Sequence, residues 1–285
     1  MIRLCAFADE YSNNLDEQIN ALHKNEINLI ELRNVDGINV TDLTEKQAEN
    51  TRMRLQKAEI AVWSVGSALG KTDINTDYEK YLEKVEKVCR NANILGTKRI
   101  RVFSFFNAYE KRGEVINLLS RMVEIAERYH VTLCHENEKE IYGDTVDRVL
   151  DLYRSVKELS LVYDPANFVQ CGQDIGYALE KLYSITEYFH CKDVIAATGE
   201  LVPAGEGDGG IEKLFNMIDR DTVITVEPHL AIFEGYAAID GTRMKNKYKF
   251  DSNQDAFNAG VAAVKATLQK CGYVADNLNN YYKRS

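Results

Sequence analysis

The sequence predicts an α/β fold, a (β/α)8 TIM barrel, on three observations. Strand-like and helix-like periodicities alternate along the chain, the order expected of a parallel sheet wrapped by helices. Eight strand-like runs can be counted, which favours a closed barrel over an open sheet. Four of the runs each finish on an ionisable side chain: Glu136, Asp164, His190 and Glu227. These lie 28, 26 and 37 residues apart, near the roughly 31 residues that each βα unit of such a barrel occupies.

The elements follow in order. Residues 3–8 read as the first strand, with Asp9 and Glu10 beyond it, and 15–23 as a helix. The second strand, 29–33, ends near Glu31 and Arg33. Residues 44–58 form a helix opened by Thr44 with Gln47 three positions on, the pattern of a capping box. The third strand, 60–65, carries Trp63, and residues 66–71 are a loop. Helix 77–93 sets Leu82, Val85 and Cys89 on one face and stops before Gly96. The fourth strand, 99–106, ends in aromatic residues read as packing, and helix 115–129 follows. The remaining strands are 131–138, 161–164, 188–193 and 223–227, with helices 145–159, 173–183 and 211–217 between them. Residues 231–254 have no clean period and read as a loop after strand eight, either a lid or a contact surface. Helix 256–271 is stopped by Gly272, and the polar tail 277–285 is expected to fray. No linker or low-complexity segment interrupts this, so residues 1–285 read as one domain.

Composition narrows the function. Hydrophobic residues make up 45% of the 285, enough for a substantial core. The net charge of −9 lacks the basic footprint that nucleic acid requires. No run of 18 apolar residues would span a membrane, and the first residues have no signal-peptide pattern. The six cysteines are scattered with no CxxC pair, as expected of reduced thiols in a cytoplasmic protein.

In a barrel of this type the site lies at the C-terminal ends of the strands, so Glu136, Asp164, His190 and Glu227 would converge. Three carboxylates and an imidazole suit a divalent cation with positions left for water or substrate. Each residue has an ordinary alternative: a solvated strand-end carboxylate for Glu136, an Asp-Pro turn for Asp164, a core imidazole for His190. Their shared register argues for the site.

On His-Glu136-Asn-Glu, Tyr-Asp164-Pro-Ala-Asn, His190-Cys-Lys-Asp and Val-Glu227-Pro-His, the chain resembles the xylose-isomerase-like TIM-barrel superfamily of sugar phosphate isomerases and epimerases. That superfamily also holds ketose 3-epimerases, inosose dehydratases and endonuclease IV. The resemblance implies that these four residues are the ligands of a divalent metal (Mn²⁺, Mg²⁺, Co²⁺ or Zn²⁺). It implies a small-molecule carbohydrate substrate and a homo-oligomer, dimer or tetramer. Nuclease members carry a histidine three residues after the aspartate, where this chain has Asn167, so a mononuclear site is expected.

Further residues are candidates by position. Lys192 shares a strand face with His190 and could polarise a substrate carbonyl or form a rim salt bridge. Glu138, His229, Asn167, Trp63 and Glu31 are candidate substrate contacts, with core packing the rival for Trp63. The glycine-rich stretch 204–210 contains Glu206 and Asp208, which would repel phosphate, so it reads as a flexible loop over the site and the substrate as unphosphorylated. The reaction expected is isomerisation or epimerisation through proton abstraction beside a carbonyl, with Glu136, Glu227 and Lys192 as the catalytic candidates. A lyase or dehydratase on a keto-sugar or inosose, and a non-catalytic sugar-binding barrel, are the alternatives.

Overall fold

The computed structural model describes residues 1–231 and 244–284. Eight parallel strands close on themselves: β1 (Ile2–Ala6), β2 (Leu29–Leu32), β3 (Ala61–Val65), β4 (Arg99–Val102), β5 (Thr132–Glu136), β6 (Ser160–Tyr163), β7 (Thr186–Cys191) and β8 (Thr222–Val226). Each pairs with the next, and β8 returns to β1 with Ile2 opposite Thr222 and Ala6 opposite Val226. The expected (β/α)8 barrel is the fold observed.

The outer layer contains α1 (Leu15–Lys24), α2 (Glu45–Lys57), α3 (Tyr78–Leu95), α4 (Arg112–Arg128), α5 (Val146–Ser155), α6 (Pro165–Gln170), α7 (Ile175–Leu182), α8 (Ile211–Met217) and α9 (Asn253–Lys270). Local chemistry sets their ends. The Thr44–Gln47 capping box opens α2 as expected, and Gly96, left-handed at φ 83°, closes α3. Helix α5 stops at Ser155, short of the expected residue 159, because residues 156–159 lead the chain back to the foot of β6.

Inside the barrel the layers change character with height. Cys5, Leu29, Cys134, Val162, Tyr188 and Val223 form an apolar layer with Trp63 against it. Two residues further along their strands stand Glu31, Glu136, Asp164, His190 and Thr225, all buried. The period of two that seats the apolar layer therefore also stacks the polar layer above it.

The tail departs from expectation. Asn280–Lys283 is a strand that forms a hairpin with Tyr273–Ala275 and pairs antiparallel with Ile2 and Arg3. Strand β2 joins β1 only from Cys5 onward, which leaves the edge of Ile2 and Arg3 open, and the tail fills it. Tyr281 is buried there, so the end is tied down instead of frayed. Half of the loop expected at 231–254, residues 232–243, lies outside the described residues. In its described part, Lys245–Asn246 pairs with Glu200 and Leu201.

Candidate functional site

The four residues singled out in the sequence meet at the C-terminal mouth. Glu136 ends β5, His190 lies in β7, and Asp164 and Glu227 immediately follow β6 and β8. One ligand atom from each lies within 4.8 Å of the others, and all four side chains are buried. His190 Nδ1 is 3.0 Å from Glu136 Oε1 and 3.2 Å from Glu227 Oε2.

Asp164 has both the turn role and the site role. Its Oδ1 caps α6 by accepting from the Asn167 backbone N–H at 3.0 Å, with Pro165 at the first helical position. Its Oδ2 is directed to the site, 2.7 Å from Lys192 Nζ. The Asn137 side chain fixes its backbone, accepting from Asp164 N–H at 2.9 Å and donating to Asp164 C=O at 2.8 Å.

A second group of residues sets the angles of the first. Glu31 accepts from Tyr188 Oη (2.8 Å) and Thr225 Oγ1 (2.9 Å) and lies 3.1 Å from His190 Nε2. A carboxylate on one imidazole nitrogen fixes the ring and turns the other nitrogen toward the centre. Two guanidiniums brace the glutamates: Arg101 Nη1 lies 3.2 Å from Glu136 Oε2, and Arg33 Nη1 donates to Glu227 Oε1 at 3.0 Å. Arg33 is itself clamped by Asp9 at 2.9 and 3.0 Å. His229 places Nε2 3.3 Å from both Glu10 Oε1 and Glu227 Oε1, with its backbone in the left-handed region at φ 48°. At the mouth, Lys71 pairs with Glu138 at 3.0 Å, and both line a pocket with Arg33, Arg101, Glu136, Glu227 and His229.

Burial and charge compete across this cluster. Burial alone would raise Glu227, yet Lys192, His229 and His190 together hold it well below the usual carboxylate range. Burial would likewise lower His190 and Lys192, but the surrounding carboxylates, Glu136 and Glu31 for the one and Asp164 and Glu227 for the other, push both well above their ordinary values. Glu10, with burial as the larger influence, is raised well above the carboxylate range, and burial takes His229 down to about 3.

With this geometry in place, comparison with known proteins gives a consistent result. The sequence model of the xylose isomerase-like TIM barrel matches residues 19–241. The chain belongs to the xylose isomerase-like TIM barrel family. No curated protein matches it. Among solved structures it is similar to the probable 3-DHS dehydratase AsbF of Bacillus anthracis (18% identity, 93% of this chain and 99% of that one, TM-score 0.69). It is also similar to an IOLI protein with a bound zinc atom (15%, 94% and 98%, 0.71) and to an L-ribulose 3-epimerase (16%, 95% and 97%, 0.72). At these identities the likeness is one of fold.

Within this family fold, several expected contacts take other places. Glu31 is not among the residues lining the mouth pocket; its oxygens are engaged by Tyr188, Thr225 and His190. Asn167 is buried in α6 and donates to Asn137 C=O at 2.9 Å and toward Glu136 Oε1 at 3.4 Å, bracing a carboxylate. Trp63 is at the opposite end of the barrel. A register shift between β2 and β3 pairs Ile30 with Val62 but Glu31 with Ser64, and Trp63 falls in the gap, packed edge-on against Tyr188 below the polar layer. Glu138, His229 and Lys192 do reach the mouth or the centre.

The glycine-rich stretch is not a loose cover. The N–H groups of Gly205, Gly207 and Gly209 donate to the Asp193 carboxylate at 2.8, 3.0 and 2.9 Å. A Cβ on Gly207 would lie 2.6 Å from Val194 O, so glycine is required for the wrap to close.

Sequence reading passed over Arg33, Arg101, Asn137 and Lys71. The signal for the arginines was present: both occupy the inward alternation of strands β2 and β4, where a buried charge must have a partner.

Proposed function

We propose that the protein is a divalent-metal-dependent isomerase or epimerase that abstracts a proton beside a carbonyl of an unphosphorylated keto-sugar or polyol-like substrate. The observation that carries this is the Glu136–Asp164–His190–Glu227 set, four buried side chains whose ligand atoms converge within 4.8 Å of one another, with only side-chain cations against Asp164 Oδ2 (Lys192, 2.7 Å) and Glu227 Oε2 (His190, 3.2 Å). Three buried carboxylates converging on one point carry negative charge that a divalent cation would balance. The donor set, three carboxylates and one imidazole oriented by Glu31, fits Mn²⁺, Mg²⁺, Co²⁺ or Zn²⁺. When bound, such an ion supplies Lewis-acid polarisation of substrate oxygens.

The remaining work falls to the chain's own groups. Glu227 stays ionised and could take the α-proton, and Glu136, across the centre, could return one on the other face. Lys192, held protonated 2.7 Å from Asp164, is placed to donate to a substrate oxygen. As it moves from the carboxylates to the substrate, Glu227 becomes a stronger base. Arg33 and Arg101 hold the two glutamates at fixed angles throughout. The glycine-rich stretch supports an unphosphorylated substrate, since the N–H groups of Gly205, Gly207 and Gly209 are taken up by Asp193. The similarity to L-ribulose and D-psicose 3-epimerases supports the reaction class.

A dehydratase reading is second. It has the same proton abstraction, and the Lys192 ammonium would protonate a departing hydroxyl; one neighbour is titled a probable dehydratase. Incubating the metal-loaded protein with a panel of keto-sugars in D₂O separates the outcomes. Deuterium at the α-carbon with the hydroxyls retained supports the isomerase or epimerase, and loss of a hydroxyl supports the dehydratase. No exchange with any sugar tested would count against both and leave a sugar-binding barrel.

A further inference from the structure

The end of the barrel opposite the candidate site has a second concavity, a hollow of about 920 Å³. It is lined at the strand feet by Arg3, Trp63, Arg99 and Thr222, by Arg154 from the last turn of α5, and by Lys157 from the turn before β6. We propose that this hollow binds a small phosphate- or carboxylate-bearing anion.

Charge is the first argument. The chain as a whole carries −9, yet the lining of this hollow holds five cationic residues, Arg220 included, against three acids. Of the acids at the rim, Glu187 is matched by Arg99 at 2.7 Å and Asp221 by the Met1 amino group at 3.1 Å. Glu158 also lines the hollow. Arg3, Arg154 and Lys157 form no salt bridge among the described residues.

The second argument is the indole. Arg99 and Arg3 place their guanidinium carbons 3.8 and 5.3 Å from the Trp63 ring centroid. Two like charges are thus held against one ring with a carboxylate for only one of them.

The third is independent of charge. Arg3 Nε, Trp63 Nε1 and Thr222 Oγ1 are buried and without a hydrogen-bond partner, and all three belong to residues lining this hollow. Guanidinium and indole nitrogens can only donate, and a hydroxyl can donate as well. A donor set with no acceptor of its own is complementary to an oxyanion. An anion there would link the feet of β1, β3, β4 and β8. That end of such barrels contributes to stability and not to chemistry, so the site is accessory to the proposed reaction and does not rest on it.

Trp63 is the only tryptophan, so its fluorescence reports on this hollow. The intact protein is titrated with inorganic phosphate and, separately, with citrate, with ionic strength held constant by sodium chloride. A saturable change in Trp63 emission is expected, absent with chloride alone. Saturation by phosphate only points to a phosphate-bearing ligand; saturation by citrate only points to a carboxylate. Arg3→Gln should weaken the midpoint by about tenfold or more, as should the double variant Arg154→Gln/Lys157→Gln. The double variant alters exposed positions only, so it keeps the test valid should Arg3→Gln fail to fold. A linear, chloride-like response to both anions would overturn the proposal, as would unchanged midpoints in the variants.

Discussion

Lys192 and a metal ion would compete for the same atom. Its ammonium lies 2.7 Å from Asp164 Oδ2, an oxygen of the proposed ligand set. Lys192→Met removes that competitor and leaves the carboxylates with less positive charge nearby. Metal affinity should be kept or rise, while solvent exchange of the substrate α-hydrogen should fall by roughly two orders of magnitude or more, if the ammonium assists proton transfer as a general acid. Calorimetric metal titration beside NMR exchange reads both, and weakened metal binding would contradict the placement. A second residue-scale effect concerns His135. Burial lowers it to about 3, against an ordinary value of 6.5, and Ser104 Oγ is its neighbour at 3.0 Å. The folded form therefore resists a proton that the unfolded chain accepts. Its stabilising contribution is present above pH 6.5 and is lost as the pH falls toward 3, by roughly 1.4 kcal/mol per pH unit. Chemical unfolding between pH 4 and 7 should show a shallower slope for His135→Gln than for the native chain. An identical slope would rule His135 out as the source.

Among elements, the wrap around Asp193 makes the sharpest claim. Three glycine N–H groups and that of Val194 donate to one carboxylate, joining the end of β7 to the stretch before α8. Asp193→Ala removes every acceptor at once and should cost on the order of 3 kcal/mol. Gly207→Ala should loosen the same wrap by steric contact with Val194 O. Urea unfolding with limited proteolysis of this stretch tests both, and native-like resistance in either variant would contradict the account. The strands that place the four central residues were legible in the sequence because each apolar run ends abruptly on its ionisable side chain. The wrap was not legible. Glycines read as freedom, and only the fold shows that Asp193 organises them. Trp63 misled for a related reason: the register shift that lowers it beneath the polar layer arises from pairing with β2, which no local pattern in β3 records. The tail was read by its polarity, whereas the edge of β1 left open by β2 decides its conformation.

At the scale of the molecule, the barrel holds an apolar layer under a charged one. The charged layer has acids from β2, β5, β6 and β8 and cations from β2, β4 and β7. Burying so many charges is favourable only when each has a partner, and Lys192 and His190 are the cations that face the inward oxygens of Asp164 and Glu227. The central claim is that this charged layer serves both a metal and a proton transfer. The direct test compares Glu227→Gln and Glu136→Gln with the native protein for metal content and for α-hydrogen exchange on the same samples. Gln keeps the size and one carbonyl oxygen, so part of the metal should remain. Neither variant can accept a proton at neutral pH at the altered position, and exchange should fall by about two to four orders of magnitude. Metal retained with exchange near the native rate in both variants would contradict the claim.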